Sequence, residues 1–109
     1  MRIVGQSDDD RSPARSARAG AVVREIAIIN QKGLHARASA KFVQTVEKFD
    51  AVVRVSRGSE TVGGGSIMGL MMLSAGIGTT ITVKATGRQA ADVIAALEAL
   101  VASRFGEDE

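Results

Sequence analysis

The sequence predicts an α/β protein of the α+β type, an open-faced sandwich in which three helices cover one face of a four-stranded antiparallel sheet. Three observations support this fold. Segments rich in β-branched residues alternate with amphipathic segments in the order β-α-β-β-α-β-α. A turn of hairpin length over 57–59 separates the second strand from the third, as in an antiparallel pair. The length of 109 residues suits one small domain with a single core.

The strands and helices follow from the residue patterns. Alternating or β-branched runs predict strands over 22–29, 51–56, 60–63 and 79–86. Apolar residues at helical spacing predict helices over 36–49, 67–73 and 88–105. In the first helix, the apolar positions expected to face the core are Ala36, Ala40, Val43, Val46 and Phe49. The glycines at 63–65 are not followed by the Lys-Ser/Thr pair of a nucleotide-binding loop.

The two ends of the chain lack these patterns. Residues 1–21 hold three consecutive aspartates, four arginines and the only proline, without a lasting apolar run. This composition predicts a disordered tail and fits neither a signal peptide nor an organelle presequence, although an overextended start site would also explain it. We expect the folded domain to cover 22–105 and the acidic residues 106–109 to fray from the last helix.

The composition argues against several classes of function. Aromatic residues make up 3% of the chain, with no Trp or Tyr, so we expect no stacking platform for nucleic acid. Because 14 basic residues nearly balance 12 acidic ones, no polyanionic partner is indicated. With no cysteine and a single histidine, we expect no disulfide, no metal site and no cofactor. No apolar stretch suits membrane insertion, and we expect a cytoplasmic protein.

The candidate site lies in the stretch 33–40. His35 is the only histidine and directly precedes a segment with helical spacing, so it should lie at or next to a helix N-terminus. Unpaired helix N–H groups and the positive end of the helix dipole would then surround the imidazole and favour an added anion. Arg37 adds a guanidinium two residues later. Taken alone, such a histidine is more often a capping or surface residue than a nucleophile.

Two segments carry a family resemblance. Residues 30–37, Asn-Gln-Lys-Gly-Leu-His-Ala-Arg, resemble the active-site segment of the HPr family, the histidine phosphocarriers of the phosphoenolpyruvate-dependent phosphotransferase systems. Residues 65–70, Gly-Ser-Ile-Met-Gly-Leu, resemble the regulatory-serine segment of that family, and Ser66 lies 31 positions after His35, as the family spacing requires. The resemblance covers 22–105 and implies the same open-faced fold and a phosphoryl carrier without turnover of its own.

The resemblance also implies roles for residues and partners. His35 would accept a phosphoryl group on Nδ1 from phospho-enzyme I, charged by phosphoenolpyruvate, with Arg37 stabilising the phosphate, and donate it to enzyme II-type proteins. Ser66 would be phosphorylated by an HPr kinase/phosphorylase, and we expect a monomer. Two alternatives stay open: a phosphotransfer protein of a nitrogen or metabolic signalling branch without sugar transport, and a small ligand-binding module that is never phosphorylated.

Three features near these segments have more than one interpretation. Typical family members have a proline directly after the arginine, whereas this chain has Ala38, which predicts a looser first helical turn with the nucleophile intact. Ser66 precedes an apolar helix, so its hydroxyl is explained equally well as an N-cap without regulation. Four apolar residues after Ser66 are candidate partner-docking residues or core filler: Ile67, Met68, Met71 and Met72. We favour Met68 and Met71 as exposed docking residues.

Overall fold

The computed structural model describes residues 21–107 and confirms the open-faced sandwich. Its strands are β1 (Val22–Ala27), β2 (Val52–Arg57), β3 (Glu60–Gly63) and β4 (Thr80–Thr86). Its helices are α1 (Ala36–Val46), α2 (Ile67–Met72) and α3 (Ala90–Ala102), followed by a 3-10 turn over Arg104–Gly106. All but the last residue of the predicted N-terminal tail, together with Asp108 and Glu109, lies outside the described residues.

The sheet has the strand order β1-β4-β2-β3, and every neighbouring pair is antiparallel. The central strand β4 pairs Ile81 with Ile26 of β1 and Val83 with Val55 of β2. These four side chains are buried under the helices, because residues opposite one another in a ladder point to the same face. The alternate residues of these strands point to the open face, and the paired Arg54 and Lys84 are exposed there.

The core lies between this sheet and the three helices, and α1 contacts both α2 and α3. The predicted buried stripe of α1 is wrong in part, because Ala36 is exposed, whereas Ala38 and Phe42 are fully buried. Phe42 is among the largest side chains in the core, and its burial favours the rotation of the helix that places it inside. Val43 and Val46 are buried as predicted.

The end of the chain differs most from the prediction. Helix α3 ends at Ala102, because Arg104 and Phe105 have positive φ values of 57° and 56° that turn the chain back and bury Phe105 completely. Gly106 and Glu107, the first residues of the segment expected to fray, continue this turn. The Gly106 N–H donates to the Ser103 carbonyl at 3.0 Å, and the N–H of Glu107 donates to the Arg104 carbonyl at 3.0 Å.

Candidate functional site

The loop between β1 and α1 is fixed against a neighbouring loop. Gly33 has φ +62°, and a Cβ at this position would lie 2.4 Å from the Ala75 carbonyl oxygen. The next residue, Leu34, donates its N–H to the same oxygen at 3.0 Å. Only glycine allows both the left-handed backbone and this approach of the two loops. The start of α1 is therefore positioned by a contact with a distant segment as well as by its own sequence.

His35 is the N-cap residue of α1, as the sequence predicts. Its backbone is extended (φ −75°, ψ −178°), and its carbonyl accepts the hydrogen bond from the Ser39 N–H at 2.8 Å. The imidazole makes no capping hydrogen bond to the helix. Since the N–H groups in the first turn of a helix have no intrahelical acceptor, they remain available to an anion beside the ring. The His35 side chain is 28% exposed, so a reacting group can approach it.

Glu107 holds one side of the imidazole ring. Its Oε2 is hydrogen-bonded to His35 Nε2, and its Oε1 accepts a hydrogen bond from the Asn30 side-chain amide at 3.2 Å. Asn30 is fully buried and also donates to the Gly33 carbonyl at 2.8 Å. The Glu107 side chain is only 12% exposed. The segment that carries Glu107 thus packs against the loop between β1 and α1. His35 and Asn30 each bind one oxygen of the Glu107 carboxylate.

The surroundings keep this carboxylate ionised. The hydrogen bond with His35 lowers the pKa of Glu107 most, and burial partly opposes this effect. The hydrogen bond from Asn30 and the positive charges of His35 and Lys32 lower the pKa further. Because an ionised carboxylate can only accept hydrogen bonds, Nε2 must carry a proton. In the neutral ring the lone pair is then on Nδ1, which is the nitrogen free to act as a nucleophile.

Arg37 is the second residue of α1 and its side chain is exposed. Within 21–107 it forms no ion pair and no side-chain hydrogen bond, so its charge is available to a ligand. The following Ala38 is fully buried at the third position of the helix. The structure therefore places a ring nitrogen and an exposed guanidinium in residues at the same helix N-terminus.

Helix α2 carries the other predicted site residues. Ser66 is its N-cap, and the hydroxyl oxygen accepts the Gly69 N–H at 3.0 Å, as expected for a capping serine. Leu70 and Leu73 are buried and anchor the helix. Four apolar residues remain exposed on its outer side, with exposed fractions of 42%, 69%, 40% and 71%: Ile67, Met68, Met71 and Met72. The interpretation of these four as core filler is therefore wrong.

Sequence reasoning missed Asn30 and Glu107. In the sequence, Asn30 resembles an ordinary turn residue, and a buried amide that holds a loop in place has the same signature. Glu107 follows His35 by 72 positions, in an acidic segment with no periodic pattern. No local signal relates two residues so far apart, because their contact depends on the turn at Arg104 and Phe105.

Within 21–107, no helix has both the length and the apolar character needed to cross a membrane.

The family model described as "PTS HPr component phosphorylation site" matches residues 22–103. The Phosphocarrier protein HPr of Cupriavidus necator is 50% identical over 86 residues, which are 79% of this chain and 97% of that protein. The protein of the same name from Neisseria meningitidis is 48% identical over the same shares of both chains.

Solved structures agree with these relatives. The crystal structure of HPr-C-His from Thermoanaerobacter tengcongensis gives a TM-score of 0.77 at 39% identity, covering 81% of this chain and 99% of that chain. A phosphocarrier protein HPr from Bacillus anthracis gives a TM-score of 0.69 at 35% identity, covering 72% and 94%. The chain therefore belongs to the HPr family of phosphocarrier proteins, which carry a phosphoryl group and have no independent turnover of a substrate.

Proposed function

We propose that Nδ1 of His35 accepts a phosphoryl group from phospho-enzyme I, charged by phosphoenolpyruvate, and passes it to enzyme II-type proteins. The observation that carries this proposal is the hydrogen bond between His35 Nε2 and the Glu107 carboxylate at the N-cap of α1. It supports the tautomer that an Nδ1 nucleophile requires. Membership of a phosphocarrier family supports the same chemistry.

The transfer step needs few groups from the carrier. The Nδ1 lone pair attacks phosphorus, and the bond from phosphorus to the donor breaks with its electron pair returning to the donor. The ring then carries a phosphoryl group on Nδ1 and a proton on Nε2, and it is positively charged. The negative charge of Glu107, next to Nε2, stabilises this ring without any movement of the chain. Transfer to the acceptor reverses the sequence.

The phosphoryl oxygens need positive groups that do not enclose them. The free N–H groups at the start of α1 and the guanidinium of Arg37 meet this requirement. Arg37 is exposed and unpaired in the described part of the chain, so it can turn toward the phosphate or toward an acidic partner surface. This openness suits a carrier, since the remaining groups for catalysis come from its partners.

The exposed apolar side of α2 is the proposed docking surface, formed by Ile67, Met68, Met71 and Met72. It lies beside the proposed phosphorylation site because α1 packs against α2. Flexible methionine side chains adapt to partners of different shape, which suits one carrier with several acceptors. Phosphorylation of the exposed Ser66 hydroxyl by an HPr kinase/phosphorylase would place two negative charges at the edge of this surface and weaken docking. We propose a cytoplasmic, monomeric carrier.

A second candidate is phosphotransfer within a nitrogen or metabolic signalling branch, without sugar transport. One relative, the Phosphocarrier protein NPr of Shewanella violacea, is 38% identical over 84 residues, which are 77% of this chain and 92% of that protein. Several HPr-named relatives are more similar, so the first candidate is preferred. The two differ in the acceptor, and phosphorylated protein offered to enzyme II proteins of each branch would separate them.

The central test is labelling by radioactive phosphoenolpyruvate and enzyme I. The protein should gain an acid-labile, base-stable label, since a phosphoramidate hydrolyses after protonation. The variant His35→Ala should gain none, while Ser66→Ala should be labelled as the native protein is. Label that persists in His35→Ala would contradict the assignment of the site.

A further inference from the structure

The exposed side of α2 concentrates the sulfur atoms of this protein. Three of the four methionines lie in this helix, and the chain has no Cys, Trp or Tyr. Their thioethers are therefore the side chains most readily oxidised by a peroxide. We propose that Met68 and Met72 form an oxidant-sensitive modification site, at which conversion to the sulfoxides reversibly weakens the docking of partner proteins. The effect on docking rests on the proposed function, whereas the oxidation itself does not.

The geometry of α2 separates these two methionines from the third. Met68 and Met72 are four residues apart, so they lie on the same side of the helix, and they are 69% and 71% exposed. Met71 is 40% exposed and shares its side of the helix with Ile67. An oxidant in water therefore reaches the outer pair more freely than Met71.

The reaction balances with hydrogen peroxide as the oxidant. A lone pair of the thioether sulfur attacks one peroxide oxygen, the O–O bond breaks, and the leaving hydroxide takes up a proton to become water. The sulfur loses two electrons and the peroxide gains them. The product is a methionine sulfoxide, whose polar S=O group accepts hydrogen bonds from water.

This change acts on the surface and leaves the core intact. Helix α2 is held by the buried Leu70 and Leu73 and by the Ser66 cap, and neither outer methionine contributes to these contacts. A partner that covers the oxidised surface must strip water from two S=O groups. An apolar partner surface offers them no hydrogen-bond donor, so binding loses free energy. Oxidation should therefore weaken docking and leave the melting temperature unchanged.

Reversal is also balanced. A methionine sulfoxide reductase removes the oxygen as water while a dithiol reductant becomes a disulfide. Because this chain contains no cysteine, the reductant has no thiol or disulfide target in the protein itself. Recovery of docking after reductase treatment would thus report the sulfoxides alone.

The first test maps the oxidation. The full chain is treated with limiting hydrogen peroxide, digested, and analysed by mass spectrometry over time. Met68 and Met72 should each gain one oxygen about twofold faster than Met71, which serves as an internal reference within the same helix. Equal rates, or faster oxidation of Met71, would overturn the assignment of the site.

The second test measures docking. The initial rate of phosphorylation by phospho-enzyme I is followed against carrier concentration for untreated, oxidised and reductase-repaired protein. Oxidation should raise the concentration for half-maximal rate about tenfold, with the maximal rate and the thermal melt unchanged, and repair should restore it. An unchanged concentration dependence would overturn the proposal.

A control variant separates the outer pair from other oxidised groups. In the double variant Met68→Leu/Met72→Leu, peroxide should produce no change relative to the untreated sample of the same variant. A tenfold effect in this variant would assign the sensitivity to Met71 or Met1 and contradict the proposal. Failure of untreated native protein to accept phosphate would instead overturn the proposed function and the docking effect. The relative oxidation rates of Met68, Met71 and Met72 would still show whether the modification site is correct.

Discussion

The N-termini of α1 and α2 use their cap residues in opposite ways. Ser66 satisfies its own helix, because its hydroxyl accepts the Gly69 N–H. His35 occupies the same position in α1 but makes no such bond, and its ring is bonded instead to Glu107 from the end of the chain. The comparison shows how a helix end can stay open to a ligand: the side chain of the cap residue bonds to a distant partner, and within 21–107 no side chain caps the first-turn N–H groups.

The two regions also differ in what holds them. The α1 site depends on contacts between segments far apart in sequence, including the approach of Gly33 to Ala75. The surface of α2 depends on a local cap and two buried leucines, with its other side open to solvent. A preorganised site suits chemistry at one ring, whereas an open and adaptable surface suits several partners.

The largest effect should come from breaking the loop contact of the first region. Gly33→Ala should destabilise the protein by about 2–4 kcal/mol, because it combines a positive φ with a clash against the Ala75 carbonyl. Gly58→Ala is a matched control, since Gly58 has φ +60° with no atom near its potential Cβ, and it should cost only about 1 kcal/mol. Denaturant unfolding measures both values. Equal losses would show that the loop contact is unimportant.

The next largest effect should come from removing the charge of Glu107 beside the His35 ring. Glu107→Gln keeps the shape of the side chain but removes the charge that favours a proton on Nε2, so phosphorylation by enzyme I should slow by about 10–100-fold. Glu98→Gln is the control, because Glu98 is exposed and lies 4.0 Å from Arg24 in a weak surface pair. Rapid-quench kinetics at saturating enzyme I give the rate. An unaffected rate would remove Glu107 from the mechanism.

The same carboxylate predicts a dependence of stability on pH. The pKa of Glu107 is lowered in the folded state from its ordinary value of 4.5, so the unfolded state binds the proton more tightly. The stabilisation is therefore present above pH 4.5 and is lost as pH falls through the lower folded pKa. The difference in unfolding free energy between native protein and Glu107→Gln should shrink from pH 6 to pH 3. A constant difference would contradict the shift.

Much of the fold was predictable from local patterns, whereas the site was predictable only in part. The alternation that buries Ile81, Val83 and Ala85 reflects strand geometry and can be read within seven residues. The capping positions of His35 and Ser66 are likewise local features. The positive φ values at Arg104 and Phe105 oppose the helical pattern around them, and burial of Phe105 compensates for them. Glu107 reaches His35 only through that turn.

A smaller effect distinguishes capping from docking at α2. Ser66→Asp retains a good N-cap and places its charge at the positive helix end, so stability should change little. Its charge at the edge of the docking surface should nevertheless raise the half-saturating concentration for enzyme I-dependent phosphorylation by about tenfold. Ser66→Ala should show the reverse pattern, with normal phosphorylation and a loss of about 1 kcal/mol. A normal rate in Ser66→Asp would remove Ser66 from the docking surface.

The smallest effect concerns the residue after Arg37. Ala38 is the third residue of α1, where its N–H has no intrahelical acceptor, so a proline there removes no helical hydrogen bond. Ala38→Pro should therefore raise stability by about 0.4–1 kcal/mol, through a reduced entropy of the unfolded chain, and leave phosphorylation intact. Ala40→Pro, two residues further into the helix, should lower stability by about 3 kcal/mol, because an N–H at this position donates to the carbonyl four residues earlier and proline has no N–H. Loss of phosphorylation in a stable Ala38→Pro protein would show that the backbone of this first turn differs from that of relatives with proline after the arginine.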